Sequence, residues 1–509
     1  MSEFGKTVGE AYAVEGPAIE LGLGVHEGKL DKAATVRLPL AMLTRHGLIA
    51  GATGTGKTRT MQLLAEQLSA AGVAVVVADM KGDVSGIAQP GETGGPAEKR
   101  AKELEQSFEP TGFPVEYLAL GGIGPGVPVR ATVSDFGAIL LGKILEANET
   151  QEQSLSLVFR YADEKGLPVV DLADLRALLA FFDSEEGKED LRGLGGVASA
   201  TIGVLLRRLS QLEDGGGREF FGEPQFEIAD LPRTAADGRG VISCLELPAV
   251  QDKPKLFSTI LMWLLAELFE QLPEAGDLPQ PKLVFFFDEA HLLFADATNA
   301  FLDSVVQTVR LIRSKGVGVF FITHNSQDLP AEVLGQLGNR IQHALRTFTP
   351  QDAKALKATI STFPTSEFYD LKDLLTLLGT GEAAVTILSE SGVPTPVVHT
   401  RLRAPVARMA AADDVAGAAK ASPLFAKYGN PLDRESAREI LASRIERSVK
   451  PVPETEAEAS EEPSAPRRRR APRPVAVKDP LTDFLTSRQG KTMQREVIRG
   501  VFGMLRKRL

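Results

Sequence analysis

Cysteine is almost missing from this chain of 509 residues, which has only Cys244. That excludes an intrachain disulfide and a cysteine-rich metal site. The one thiol falls in the strand-like run Val241-Ile242-Ser243-Cys244-Leu245, where a buried structural role is expected. Long apolar runs are missing as well. The run 257–268 is shorter than the roughly 20 residues of a membrane span and leads straight into acidic positions. The first residues lack an apolar segment followed by a cleavage signal, so a reducing cytoplasm is the expected setting. Positive charge is in deficit, with 57 Lys and Arg against 67 Asp and Glu and a formal net charge of -10. This argues against a monomer coated in nucleic acid. It leaves open a ring whose channel alone is basic, because binding follows the local field. Apolar residues make up 43% of the chain, ample for a core. The length suits two or three domains, or one enlarged α/β domain with a tail.

What is present is organised around Gly51-Ala52-Thr53-Gly54-Thr55-Gly56-Lys57-Thr58. The pattern is that of a loop cradling nucleotide phosphates. Gly51, Gly54 and Gly56 let the backbone curl so that successive N–H groups point inward. Lys57 supplies a charge for the β- and γ-phosphate oxygens, and Thr58 a hydroxyl for Mg²⁺. Leu48 and Ile49 make a short strand before the loop, to which residues 38–43 are expected to add. Met61, Leu64, Ala65 and Leu68 return at helical spacing after it. The chain is therefore read as binding ATP or GTP.

Residues 73–78 form a continuous apolar run that ends in Asp79-Met80-Lys81-Gly82-Asp83. Ligands collect at the carboxyl ends of parallel strands, so this turn is expected near the phosphates. Asp79 there is expected to orient water on Mg²⁺ or sense the bound nucleotide, or else to cap a solvated turn. Residues 98–240 read as a mostly helical insertion, with strands near 115–120 and 127–133 and helices near 172–181 and 197–212. Arg192, Arg207, Arg208 and Arg218 within it could face DNA, a neighbouring subunit or simply solvent.

A second apolar run, 283–287, delivers Asp288-Glu289-Ala290-His291. Asp288 is placed to hold the metal, and Glu289 to orient or deprotonate the attacking water. His291 is open between a polar role beside the γ-phosphate and simple capping. A third run, 317–322, ends in Thr323-His324-Asn325, and Thr323 and His324 are the candidates for sensing the γ-phosphate. Arg340, Arg313 and Arg310 adjoin these strands. Arg340, read as fixed on a tight turn, is the first choice for a finger reaching a neighbour's nucleotide, and Arg313 the second. Order is expected to fade from about residue 404, through an acidic block and Arg467-Arg468-Arg469-Arg470, to an amphipathic helix over 493–508.

Residues 45–58, 79–86, 283–294, 309–318 and 334–344, in order and at compatible spacing, resemble bacterial HerA-like ATPases of the HerA–FtsK superfamily. The likeness runs over 36–403, and 494–503 resembles the family's closing helix. It implies an α/β, RecA-like P-loop NTPase with a parallel central sheet, a helical insertion and a partly disordered C-terminal tail. The implied layout is a small N-terminal appendage (1–35), the ATPase domain (36–403), a flexible linker (404–480) and a C-terminal helix (481–509). It further implies ATP and Mg²⁺ as cofactors, a homo-hexamer, double-stranded DNA as partner and a partner nuclease. His324 departs from the family pattern, in which a glutamine usually follows the threonine; neutral imidazole can still donate one hydrogen bond. The box Asp288-Glu289-Ala290-His291 also occurs in a class of two-domain helicases. There it follows the P-loop by roughly a hundred residues, against 231 from Lys57 to Asp288 here, and no second helicase domain is legible. Two functions stay open: a ring that moves on or remodels DNA, and a nucleotide-dependent switch or assembly ATPase that does not translocate.

Overall fold

The apolar runs become the middle of one sheet. The computed structural model describes residues 2–191, 195–294 and 299–449. Its strands are β1 (Ala18–His26), β2 (Lys29–Pro39), β3 (Gly47–Ala50), β4 (Ala74–Asp79), β5 (Val115–Leu120) and β6 (Val127–Val129), then β7 (Ile242–Glu246), β8 (Leu283–Phe287), β9 (Val317–Thr323), β10 (Asn339–Gln342), β11 (Glu382–Thr386) and β12 (Val398–Leu402). Among the described residues they form a single twelve-stranded sheet in the order β2-β1-β12-β11-β10-β3-β9-β8-β4-β7-β5-β6. From β10 to β6 every neighbouring pair is parallel. From β2 to β10 every pair is antiparallel.

Central strands of a parallel sheet are covered on both faces, so they read as unbroken apolar runs. Val75, Val76 and Val77 of β4 and Phe285, Phe286 and Phe287 of β8 are all buried. The rings of Phe285 and Phe287 stack at 4.3 Å, and Phe287 meets Phe321 of β9 at 5.4 Å. Cys244 is buried in β7, as expected of a structural thiol. The helix Pro254–Gln271 packs against this core with Phe257, Ile260, Leu261, Trp263, Leu264 and Leu268 buried, which explains a run apolar on every side. No helix among the described residues is long and apolar enough to cross a membrane.

Four expectations are corrected. Residues 38–43 do not lengthen the strand before the P-loop, because Leu40–Arg45 is a 3₁₀ turn. β3 is therefore only four residues long, yet it lies fully buried between β10 and β9. The boundary at residue 35 cuts through β2. Helix α1 (Glu3–Ala11), β1 and β2 belong to the central sheet, since β1 pairs with β12 and Tyr12 donates to the carbonyls of Val385 and Pro396. The break at 404 also vanishes. Residues 2–449 form one compact unit, in which Tyr428 packs on Phe226 and Ala437 and Leu441 are buried. Residues 98–240 are mostly helical, and they also extend the sheet through β5 and β6. The second of those strands ends at Val129 rather than 133. Arg192, the linker beyond 450, the tetra-arginine and the closing helix lie outside the described residues.

Candidate active site

Ala50, Asp79, Phe287 and Thr323 end β3, β4, β8 and β9, so the segments leaving them gather at one edge of the sheet. The loop 51–56 starts there. Gly51, Gly54 and Gly56 have φ of 153°, 77° and 113°, a region that side-chain-bearing residues rarely adopt. The loop is tied to both flanking strands: the Gly51 N–H donates to the Thr323 carbonyl and the Ala52 N–H to that of Ala344. Thr53 and Gly54 form its exposed tip. Helix α2 (Lys57–Ala70) begins at Gly56, adding its positive end to the loop's N–H groups. Lys57 curls back under the loop and donates to the carbonyls of Gly51 (2.6 Å) and Ala52 (3.2 Å). Burial pushes its ammonium down, and the carboxylates of Glu289 and Asp288 pull the other way. Thr58 stands half-buried in the first turn.

β8 delivers the acids. Asp288 is buried; one oxygen accepts the Glu289 N–H at 3.0 Å, and Oδ2 has no hydrogen-bond partner among the described residues. Burial, with the neighbouring Glu289 charge, pushes its carboxyl up to about 7. An orphaned buried carboxylate oxygen is costly unless a cation or donor meets it, so it fits a metal site. Among the described residues no group of three or more His, Cys, Asp or Glu could hold a metal ion. Mg²⁺ takes one or two protein oxygens and completes its shell with phosphate and water. Thr58 and Asp288 fit as those oxygens.

Glu289 has φ 49°, left-handed for a residue with a side chain, a strain that clusters at functional sites. Its Oε1 bonds Lys81 Nζ at 2.6 Å. Its Oε2 faces His324 Nε2 at 3.3 Å and His291 Nδ1 at 3.5 Å, within ion-pair reach but without hydrogen-bond geometry. Burial raises the carboxyl, but Lys81, His324 and His291 outweigh it and hold it below its usual range. His324 Nδ1 also lies 3.4 Å from Lys57 Nζ. The imidazole thus stands between the Lys57 ammonium and the Glu289 carboxylate. His291 likewise joins the cluster, its ring 5.8 Å from that of His324.

Other expected site residues are placed differently. The Asp79 carboxylate is fully buried and accepts the N–H groups of Lys81, Gly82 and Val84, so it caps the turn instead of turning to a metal. Thr323 donates to Asp328 at 2.7 Å, which leaves His324 as the polar group facing the site. Arg340 sits in β10, not on a tight turn. Its guanidinium donates to the Thr362 carbonyl at 2.9 Å and lies 3.5 Å from those of Leu334 and Leu337. Arg313 lies in the turn leading into β9, at the edge of the sheet opposite the P-loop.

Two residues meet partners that the sequence does not show. Lys81 was expected near the phosphates but not on Glu289. His343 follows β10 and is completely buried; its Nε2 is 2.9 Å from Thr60 Oγ1, and burial, reinforced by Lys57, pushes it down to about 4. It backs the loop so closely that a Cβ on Gly51 would come within 2.5 Å of its own Cβ. Nothing local signals such a contact, because the partners Gly51 and His343 stand 292 positions apart in the chain.

A family model described as "Helicase HerA-like C-terminal" matches residues 25–508. Among solved structures, the plasmid coupling protein TrwB in complex with the GTP analogue GDPNP aligns with TM-score 0.50 and 15% identity, covering 79% of this chain and 98% of that one. TrwB in a trigonal form with sulphate aligns at TM-score 0.50 and 15% identity, covering 81% and 93%. VirB4 of Thermoanaerobacter pseudethanolicus aligns at 0.48 and 15%, covering 77% and 97%. At such identity the TrwB likeness speaks for the fold. No curated protein matches the chain.

Proposed function

The chain belongs to the HerA-like C-terminal helicase family, and from that premise we propose that it is a Mg²⁺-dependent ATPase whose turnover drives movement on, or remodelling of, double-stranded DNA by a ring of identical subunits. The observation that carries the ATPase reading is Glu289, set directly after a buried Asp288 with an orphaned oxygen and across from Lys57. In that reading the loop N–H groups and Lys57 bind the β- and γ-phosphates. Thr58 and Asp288 hold Mg²⁺, which when bound neutralises charge on the phosphate oxygens. Glu289 orients the attacking water and accepts its proton. His324, in contact with both Lys57 and Glu289, is the residue that feels loss of the γ-phosphate.

A second reading is a switch that hydrolyses nucleotide without translocating. The internal use of Arg340 favours it, since that guanidinium is spent on its own chain's carbonyls. The deciding experiment measures ATP turnover with and without duplex DNA, alongside the oligomer mass under both conditions. Stimulation by duplex and a closed oligomer are expected, with Glu289→Gln binding ATP but losing roughly 10²–10⁴-fold in hydrolysis. A protein that stays monomeric with ATP analogue, Mg²⁺ and duplex all present would defeat the ring and favour the switch.

A further inference from the structure

We propose that Lys81 is a positioning residue for hydrolysis: it clamps one oxygen of Glu289 so that the other is presented to the attacking water. The inference rests on the reading of Glu289 given above and assigns a residue to that site.

The first support is the contact itself. Lys81 Nζ lies 2.6 Å from Glu289 Oε1, a charge-assisted hydrogen bond on a carboxylate that is only 10% exposed. The lysine side chain is 49% exposed, so it reaches over the buried acid from the solvent side. The second support is the division of labour between the two oxygens. Oε1 is taken by the ammonium, while Oε2 has no hydrogen bond among the described residues and faces His324 and His291 beyond that geometry. The free oxygen is the one able to accept a proton.

The third support is the turn that carries Lys81. Asp79 ends β4, next to β8 in the sheet. Its Oδ1 takes the N–H groups of Lys81 (3.2 Å) and Gly82 (2.8 Å), and its Oδ2 that of Val84 (2.9 Å). Gly82 supplies the left-handed φ of 72° that closes the turn. A fully buried aspartate thus fixes the backbone from which the lysine extends. Glu289, by contrast, stands on a strained residue just past the end of its strand. Among the described residues Lys81 makes the one side-chain hydrogen bond to its carboxylate, which without it would keep only the longer contacts to His324 and His291. In the hydrolytic step a water O–H proton passes to Oε2 as the water oxygen bonds the γ-phosphorus. The bond to the bridging oxygen breaks, and its electron pair leaves on ADP. The ammonium neither gains nor loses a proton.

The test compares full-length wild type, Lys81→Met, Lys81→Arg and Glu289→Gln in steady-state ATP turnover, nucleotide affinity and thermal melting. A misplacement of about 1 Å costs on the order of 10²-fold, so kcat of Lys81→Met is expected to fall by about that factor. Its KM, nucleotide affinity and melting temperature should stay those of wild type. Lys81→Arg, whose guanidinium can hold the same oxygen, should recover at least about a tenth of wild-type kcat. Unchanged kcat in Lys81→Met beside an inactive Glu289→Gln overturns this inference alone. So does a loss confined to KM and affinity, which would make Lys81 a phosphate ligand, or an arginine variant no better than methionine. Wild-type turnover by Glu289→Gln would overturn the reading of Glu289 and this one together.

Discussion

His46 shows how much one side chain fixes at the entrance to β3. Its Nδ1 accepts the Val319 N–H at 3.0 Å, and its carbonyl accepts two N–H groups of Asn339, so it joins the strands on either side of the P-loop strand. Burial, reinforced by Arg313 and Arg45, pushes its imidazole from 6.5 down to about 4. Below pH 6.5 the unfolded chain takes up a proton that the folded one refuses. This histidine's contribution is therefore whole above 6.5 and drains away as pH falls toward 4. The slope is about 1.4 kcal/mol per pH unit inside that window. Asparagine carries no group that titrates in this range and offers a side-chain acceptor in a similar place. His46→Asn is accordingly expected to lose less stability than wild type between pH 6.5 and 4 in paired denaturant titrations. Parallel pH curves for the two proteins would contradict this.

At the scale of elements, the P-loop is held by what lies under it. Gly51 has φ 153° and sits against His343, so an added Cβ meets that residue's Cβ at 2.5 Å and its backbone at 3.1 Å. Gly51→Ala is expected to cost about 1–3 kcal/mol, the usual range for overpacking, and to weaken nucleotide binding as the loop is displaced. Denaturant melts and a nucleotide titration would check it; full affinity at full stability would refute it. The same contact marks the limit of the sequence. The loop, β8 with Asp288 and Glu289, and β9 with His324 were legible because each is a contiguous pattern whose chemistry lies at its own end. Asp79 read as ambiguous because the N–H groups that claim its carboxylate depend on how its turn closes. Arg340 reads as a turn residue because the strand that holds it begins one residue earlier, at Asn339, and its acceptors Thr362, Leu334 and Leu337 are fixed by packing. Lys81 and Glu289 lie 208 residues apart and meet only because β4 and β8 are sheet neighbours.

For the whole molecule, the sheet ties the first strands to the last. Phe4, Val8, Tyr12, Ile19 and Leu21 enter the common core, and β1 lies between β2 and β12. A chain lacking residues 1–27 would leave the β12 edge bare and is expected to melt earlier and to aggregate, since unpaired edges invite intermolecular pairing. Light scattering during a thermal ramp would show it; a melt identical to that of the full chain would mean that these residues are dispensable to the sheet. The pairing of Gly22 with Leu402 also sets a timetable for synthesis. A ribosome adds roughly 5–20 residues per second, so β1 waits roughly 20–80 s after it emerges before its partner strand exists. Through that interval the newborn hairpin of β1 and β2 carries an open edge, and a chaperone that shields it early in translation would decide how much of the protein reaches its native state.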